Sequence, residues 1–230
     1  MGNMDEQMIK LAYWDTRGLA QSIRFLLEHL GVAYDDRRYC VKGSAPEWDL
    51  TDWLDVKESL GFLLPNLPYL IDGTVYITET TAILRYLDRR FQLMPGDSAL
   101  HVRSDILLSA TQACFDRFIL MCYSPSFLSI KPEYEEWLAG YLPRLDTALE
   151  GCWFCHQTPT SVDFHVYEML FQNNELFPNS LLKYPKLTKF MERIENLESI
   201  QRYRNSSKYI DYPINNRQAL FGSELLRPVA

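Results

Sequence analysis

The chain has 230 residues, 47% of them hydrophobic and 23% charged, with 30 acidic against 23 basic side chains and a formal net charge of −7. That composition excludes general disorder and leaves one large domain or two small ones. The acidic balance argues against a nucleic-acid partner, where a basic stripe is expected, while a small anionic ligand can still be held by a helix N-terminus or a single cation.

In chain order, residues 1–7 are polar and acidic, unlike a secretory signal, and Glu6 stands where a myristoylation pattern wants Ser or Thr. Residues 8–13 read as a buried strand, and 14–18 as a turn. Ile23, Leu26, Leu27 and Leu30 then fall at helical spacing, with Gly31 as the residue after the C-cap. A second strand covers 34–40, and a long polar and aromatic connection runs over 41–64. Pro65-Asn66-Leu67-Pro68 punctuates it, and Pro68 is a candidate cis-proline at a strand start. Residues 69–71 and 75–77 flank Asp72-Gly73, a hairpin signal. A helix follows over 80–91. The order is β-α-β, then β-β-α.

Met94-Pro95-Gly96-Asp97 is a breaker cluster and the expected domain boundary, giving units 1–94 and 95–230. Beyond it the pattern is helical. One long helix covers 101–123. The next is expected to open at Pro132 and run to 149, kinked at Pro143. Thr160-Ser161-Val162-Asp163 resembles a capping box with Asp for Glu. Helices then cover 185–197 and 198–204, before an irregular tail. No run reaches the ~18 apolar residues of a membrane span. The fold class is therefore α/β plus all-α.

Five cysteines, an odd and scattered number, read as free thiols in a reducing, cytoplasmic setting. Cys152-Trp153-Phe154-Cys155-His156 spells C-x-x-C-H, a pattern of haem attachment or of a redox dithiol. Haem attachment needs export and an axial partner, and a thioredoxin-type pair belongs after the first strand, where Tyr13 stands. Two small apolar residues before a helix is the plainer reading. No second Cys/His pair lies nearby to complete a zinc site, and no metal is expected.

Four segments carry a resemblance: Tyr13-Trp14-Asp15-Thr16-Arg17-Gly18-Leu19-Ala20; Ala45-Pro46 leading to Trp53; Pro65-Asn66-Leu67-Pro68-Tyr69-Leu70-Ile71-Asp72-Gly73; and Ser161-Val162-Asp163-Phe164. In this order and spacing they resemble the cytosolic glutathione transferases, above all the mu class, over nearly the whole chain. The resemblance implies a thioredoxin-like glutathione-binding domain and a helical domain that contributes the electrophile pocket. It implies conjugation of glutathione to small hydrophobic electrophiles, a detoxification reaction, by a homodimer. Glutathione is the co-substrate, and no cofactor, nucleic acid or membrane is called for. A non-catalytic ligand-binding or structural member of the same fold is the alternative.

Residue by residue, the resemblance makes Tyr13 the stabiliser of the glutathione thiolate and Tyr123 a second hydroxyl facing the electrophile. Trp14, Leu19, Trp53, Lys57, Asn66, Leu67, Pro68, Glu79 and Thr80 are the glutathione-binding set. A free thiol is only about 3% thiolate at pH 7, and lowering its pKa by about two units reverses that. A phenol donating to sulfur near a helix N-terminus supplies part of the shift. Three departures stand out. Glu79-Thr80 replaces the Gln-Ser of the mu class. Ala113 replaces the acidic residue sent across the dimer to the γ-glutamyl ammonium, so Glu79 is expected to supply that charge from its own subunit. Leu64 replaces the aromatic key of the dimer. Arg85, Arg89 and Asp105 match its charged interface, while the stretch 115–121 reads as core.

Overall fold

The computed structural model describes residues 8–94, 96 and 98–224; the segment 1–7 and, within the breaker, Pro95 and Asp97 lie outside the described residues. β1 (Ile9–Trp14) and β2 (Tyr34–Tyr39) pair in parallel, from Ile9 opposite Tyr34 to Trp14 opposite Tyr39. A parallel pair needs a crossover, and α1 (Gln21–His29) provides it, burying Ile23, Phe25, Leu26 and Leu27. Gly31 ends this helix as expected. At φ +66°, its N–H donates to the Glu28 carbonyl (3.2 Å), and the Val32 N–H donates to that of Leu27 (3.1 Å). That pair of bonds is a Schellman motif.

The connection over 41–64 is more ordered than its sequence reads. It holds a small hairpin, β3 (Lys42–Ser44) with β4 (Glu47–Asp49), and a short helix, α2 (Thr51–Lys57). β3 is wholly exposed and α2 buries only Trp53, so neither leaves an apolar period. β5 (Tyr69–Asp72) and β6 (Val75–Thr78) form the expected hairpin, and the sheet order is β2-β1-β5-β6. β5 lies antiparallel to β1, with Leu11 opposite Leu70. α3 (Thr80–Arg90) covers the sheet with Ile83, Leu84 and Leu87.

The remainder is helical: α4 (Ser98–Cys122), α5 (Phe127–Ala148), α6 (Ser161–Leu176), α7 (Pro185–Glu195) and α8 (Glu198–Arg204). α5 corrects the reading that Pro132 opens a helix. It starts at Phe127, which is buried, and runs through both Pro132 and Pro143. Both prolines are exposed, on the side where a lost backbone bond is replaced by water at least cost. α6 is buried nearly all round, the pattern of a central helix. Asp163 caps it: its carboxylate accepts the Thr160 N–H (2.8 Å), the Thr160 hydroxyl (3.0 Å) and the Phe154 N–H (2.8 Å). Burial still lifts the Asp163 carboxyl, to about 6. Asp88 of α3 accepts both the N–H and the hydroxyl of Ser161, tying the sheet layer to α6.

One apolar core runs from Leu11, Ile23 and Leu70 into Leu108, Phe115 and Phe164, so sheet and helices share an interior. A second, aromatic cluster gathers Tyr13, Tyr39, Trp53, Phe62 and Tyr69 under α2. Among the described residues no helix is long and apolar enough to cross a membrane.

Candidate active site

Tyr13 sits next to the end of β1 and is 8% exposed. The turn after β1 folds back onto its ring. A Cβ on Gly18 would lie 2.5 Å from Tyr13 Cε1 and 2.7 Å from its hydroxyl, and Gly18 has φ +42°. Glycine is therefore the one residue that fits there without displacing the phenol. Burial raises the Tyr13 pKa, opposed by a hydrogen bond from the Leu19 N–H and by the charge of Arg24. The phenol stays protonated at neutral pH and is available as a donor.

The aromatic cluster forms the wall next to it. The Trp53 ring lies 5.3 Å from that of Tyr39 and 6.1 Å from that of Tyr69, and the two tyrosine hydroxyls are 3.0 Å apart. α2 turns Trp53 into this cluster and leaves Lys57 half-buried one turn on; Trp14 and Leu19 are also half-buried. The Leu67–Pro68 bond is cis, as the sequence proposed. The Leu67 N–H donates to Asn66 Oδ1 (2.9 Å), and Asn66 Nδ2 donates to Glu79 Oε1 (3.1 Å).

Glu79 is the N-cap of α3 at φ +71°, a conformation that costs a non-glycine residue on the order of 1–3 kcal/mol and is typical of functional sites. Behind it Thr80 is buried, and its Oγ1 has no hydrogen-bond partner. An α-helix N-terminus beside an unpartnered hydroxyl is suited to a carboxylate. Asn66, Leu67, Pro68, Glu79 and Thr80 thus come together through hydrogen bonds and chain proximity.

Tyr123 follows the C-terminus of α4, and its hydroxyl accepts the Asn216 N–H at 2.8 Å. Burial raises its pKa, and Tyr13 is close enough to add to the rise. Asn216 in turn lines a cleft with Asp15 and Thr16 of the turn after Tyr13, which brings the two candidate catalytic tyrosines to one region. This cleft, of about 210 Å³, is also lined by Tyr39, Val41 and Arg217. Phe115, Phe118 and Met121 are core, as expected. Ala113 is exposed on α4 and brings no charge. Arg85 pairs with Asp105 within the chain and donates to Ser109 Oγ (3.0 Å).

A family model described as the N-terminal domain of glutathione S-transferases matches residues 9–89, and one for the C-terminal domain matches 120–207. Human glutathione S-transferase Mu 3 is 40% identical over 220 residues, 95% of this chain and 97% of that protein. Mouse glutathione S-transferase Mu 5 is 38% identical over 224 residues, 97% of this chain and all of that protein. The chain belongs to the glutathione S-transferase family. The crystal structure of the glutathione S-transferase Blo t 8 superposes with a TM-score of 0.84 at 28% identity, over 93% of this chain and 99% of that one.

In this transferase several residues that serve the site were not singled out from sequence. Arg17 is fully buried. It makes two bonds to Glu168 of α6 (3.0 and 2.6 Å) and others to the Tyr209 hydroxyl (2.6 Å) and the Ile210 carbonyl (2.9 Å). Burial works against its charge, but Glu168 outweighs that and holds it protonated. The N–H groups of Arg17 and Gly18 donate to the carbonyls of Pro213 and Ile214, both at 2.9 Å. The C-terminal segment thereby braces the turn beneath Tyr13. Arg17 and Gly18 lay inside the first motif; Glu168 and Asn216 carried no sequence signal.

The cysteine pair is not joined, and Cys155 gains no reactivity. All five cysteines are free, Cys152 is exposed, and Cys155 is buried and pushed up to about 12. A reactive thiol has a lowered pKa.

Proposed function

We propose that this protein conjugates reduced glutathione to small hydrophobic electrophiles, in the role of a detoxifying, cytoplasmic homodimer. The observation that carries the reading is the buried phenol of Tyr13 near the end of β1, with the Gly18 turn packed on its hydroxyl and burial keeping it protonated. Glutathione lies along the N-terminal unit, residues 1–94, and the electrophile sits against the helical unit, residues 95–230. Lys57 and Trp53 hold the glycyl carboxylate, and Leu67, ahead of cis-Pro68, pairs with the cysteinyl backbone. Trp14 and Leu19 flank the thiol, and Asn66 braces Glu79. The α3 N-terminus and Thr80 hold the γ-glutamyl carboxylate, while Glu79 faces the ammonium in place of the charge that Ala113 lacks.

The thiol gives its proton to water, and the sulfur then attacks the electrophilic carbon. A C–S bond forms as a leaving group departs with its electron pair, or as the π bond of an activated double bond breaks and its electron pair, left on the far carbon, takes a proton from water. Tyr13 donates to the anion throughout, and Tyr123 donates to an oxygen of the electrophile where one is present. The dimer forms through α3 and α4, with the exposed Leu64 as its lock. A conjugation assay with a chromogenic aryl halide tests the reading. Turnover that falls at least tenfold in Tyr13→Phe, with glutathione binding retained, supports it. Glutathione binding with no turnover in the wild type refutes it in favour of a non-catalytic carrier.

A further inference from the structure

We propose that Gln172 of α6 tunes the Tyr13 phenol across the domain interface, through the peptide group between Gly18 and Leu19. Gln172 is fully buried, and its Nε2 donates to the Gly18 carbonyl at 3.0 Å. The other side of Gly18 packs on the phenol, where a Cβ would lie 2.7 Å from the Tyr13 hydroxyl, and the Leu19 N–H of the same peptide group acts to lower the Tyr13 pKa. Amide, peptide and phenol therefore stand in one row, with the Gly18 carbonyl held by Gln172 and the Gly18 backbone against the phenol. A donor on a carbonyl withdraws electron density from its peptide and strengthens the N–H at the other end. A stronger N–H on the phenol oxygen makes its O–H a better donor in turn.

The row is held in one direction. The second hydrogen of Gln172 Nε2 goes to Glu168 Oε1 at 3.0 Å, and Glu168 is fixed by its two bonds to Arg17. That fixes which end of the Gln172 amide faces Gly18, because only the NH₂ group satisfies two acceptors there. Nothing else in the described structure donates a hydrogen bond to the Gly18 carbonyl. Gln172 is thus a positioning residue. It never meets substrate and acts only through Tyr13, so the proposal rests on Tyr13 being the thiolate stabiliser.

The test titrates the ultraviolet absorbance of the thiolate of glutathione bound to the whole protein. In Gln172→Met, which keeps length and removes both donors, the bound thiol pKa rises by about half a unit, roughly threefold less thiolate on the acid side. The acid limb of kcat/KM moves with it, the rate at high pH recovers, and KM for glutathione is unchanged. A role confined to packing moves the melting temperature but not this titration. In Tyr13→Phe with Gln172→Met the titration equals that of Tyr13→Phe alone. If Gln172→Met does not fold, Gln172→Asn, too short to reach Gly18, carries the same expectations. An unmoved titration in the single variant, or an added shift in the double, overturns the proposal. If Tyr13→Phe itself leaves the titration unmoved, the reading of Tyr13 falls first. If Tyr13→Phe shifts it and Gln172→Met does not, only this proposal falls.

Discussion

Glu168→Gln tests how the turn beneath Tyr13 is held. The change preserves shape and removes one charge from a fully buried pair in which both partners are 0% exposed. Arg17 keeps the Tyr209 hydroxyl, the Ile210 carbonyl and the face of Phe171, 4.1 Å from its guanidinium carbon. It loses its counter-charge and one of two charge-assisted bonds. Leaving a buried charge without its partner costs about 3–5 kcal/mol. The neutral contacts that survive place this case at the low end, about 3 kcal/mol. For a chain of this length that is a fall in Tm of roughly 6–12 °C. Urea unfolding at fixed protein concentration reads the same quantity as a lower midpoint at constant slope. A loss below about 1 kcal/mol refutes the view that this pair clamps the turn, and a changed slope refutes the assumption of an unaltered native state.

Three further outcomes follow from single contacts. Gly18→Ala puts a methyl onto the Tyr13 ring at a positive φ; kcat is expected to fall at least tenfold, and an unchanged kcat means the turn yields without moving the phenol. Glu79→Gln removes the charge set against the γ-glutamyl ammonium, and glutathione affinity measured by calorimetry is expected to weaken several-fold; unchanged affinity rejects that role. His165 is buried against Phe115 and beside Ser22, with its pKa lowered to about 3 by burial and, less, by Arg85. The unfolded chain takes up that proton first, so this stabilisation is present above about pH 6.5 and is lost as pH falls, by about 2 kcal/mol at pH 5. Asp163, raised to about 6, works in the opposite direction, losing stability as pH rises. Only the difference between wild type and His165→Phe isolates the histidine, and parallel Tm-against-pH curves reject the assignment.

The sequence made legible those elements whose apolar spacing is dictated by one large interior. β1, α1, the β5–β6 hairpin, α3 and α8 stand close to where spacing put them, because each buries a face in the shared core. β3, β4 and α2 were hidden because they bury almost nothing beyond Trp53. The start of α5 was misplaced because Pro132 carries a strong local signal, whereas the anchor is Phe127, one ordinary apolar residue. The site divides in the same way. Tyr13, Asn66 and Leu67 lie in contiguous motifs and are readable in order, and Thr80 follows the hairpin at the start of α3. Glu168 and Gln172 meet the turn from 151 or more residues away, Asn216 meets Tyr123 from 93 away, and no spacing records such a meeting.

If the Tyr13 hydroxyl holds the glutathione thiolate, removing it must change the acidity of the bound thiol. The most direct measurement is the absorbance titration of glutathione bound to wild type and to Tyr13→Phe. In the wild type the bound thiol pKa is expected about two units below that of free glutathione, with most of that shift lost in Tyr13→Phe while glutathione still binds. Equal titrations in the two proteins contradict it.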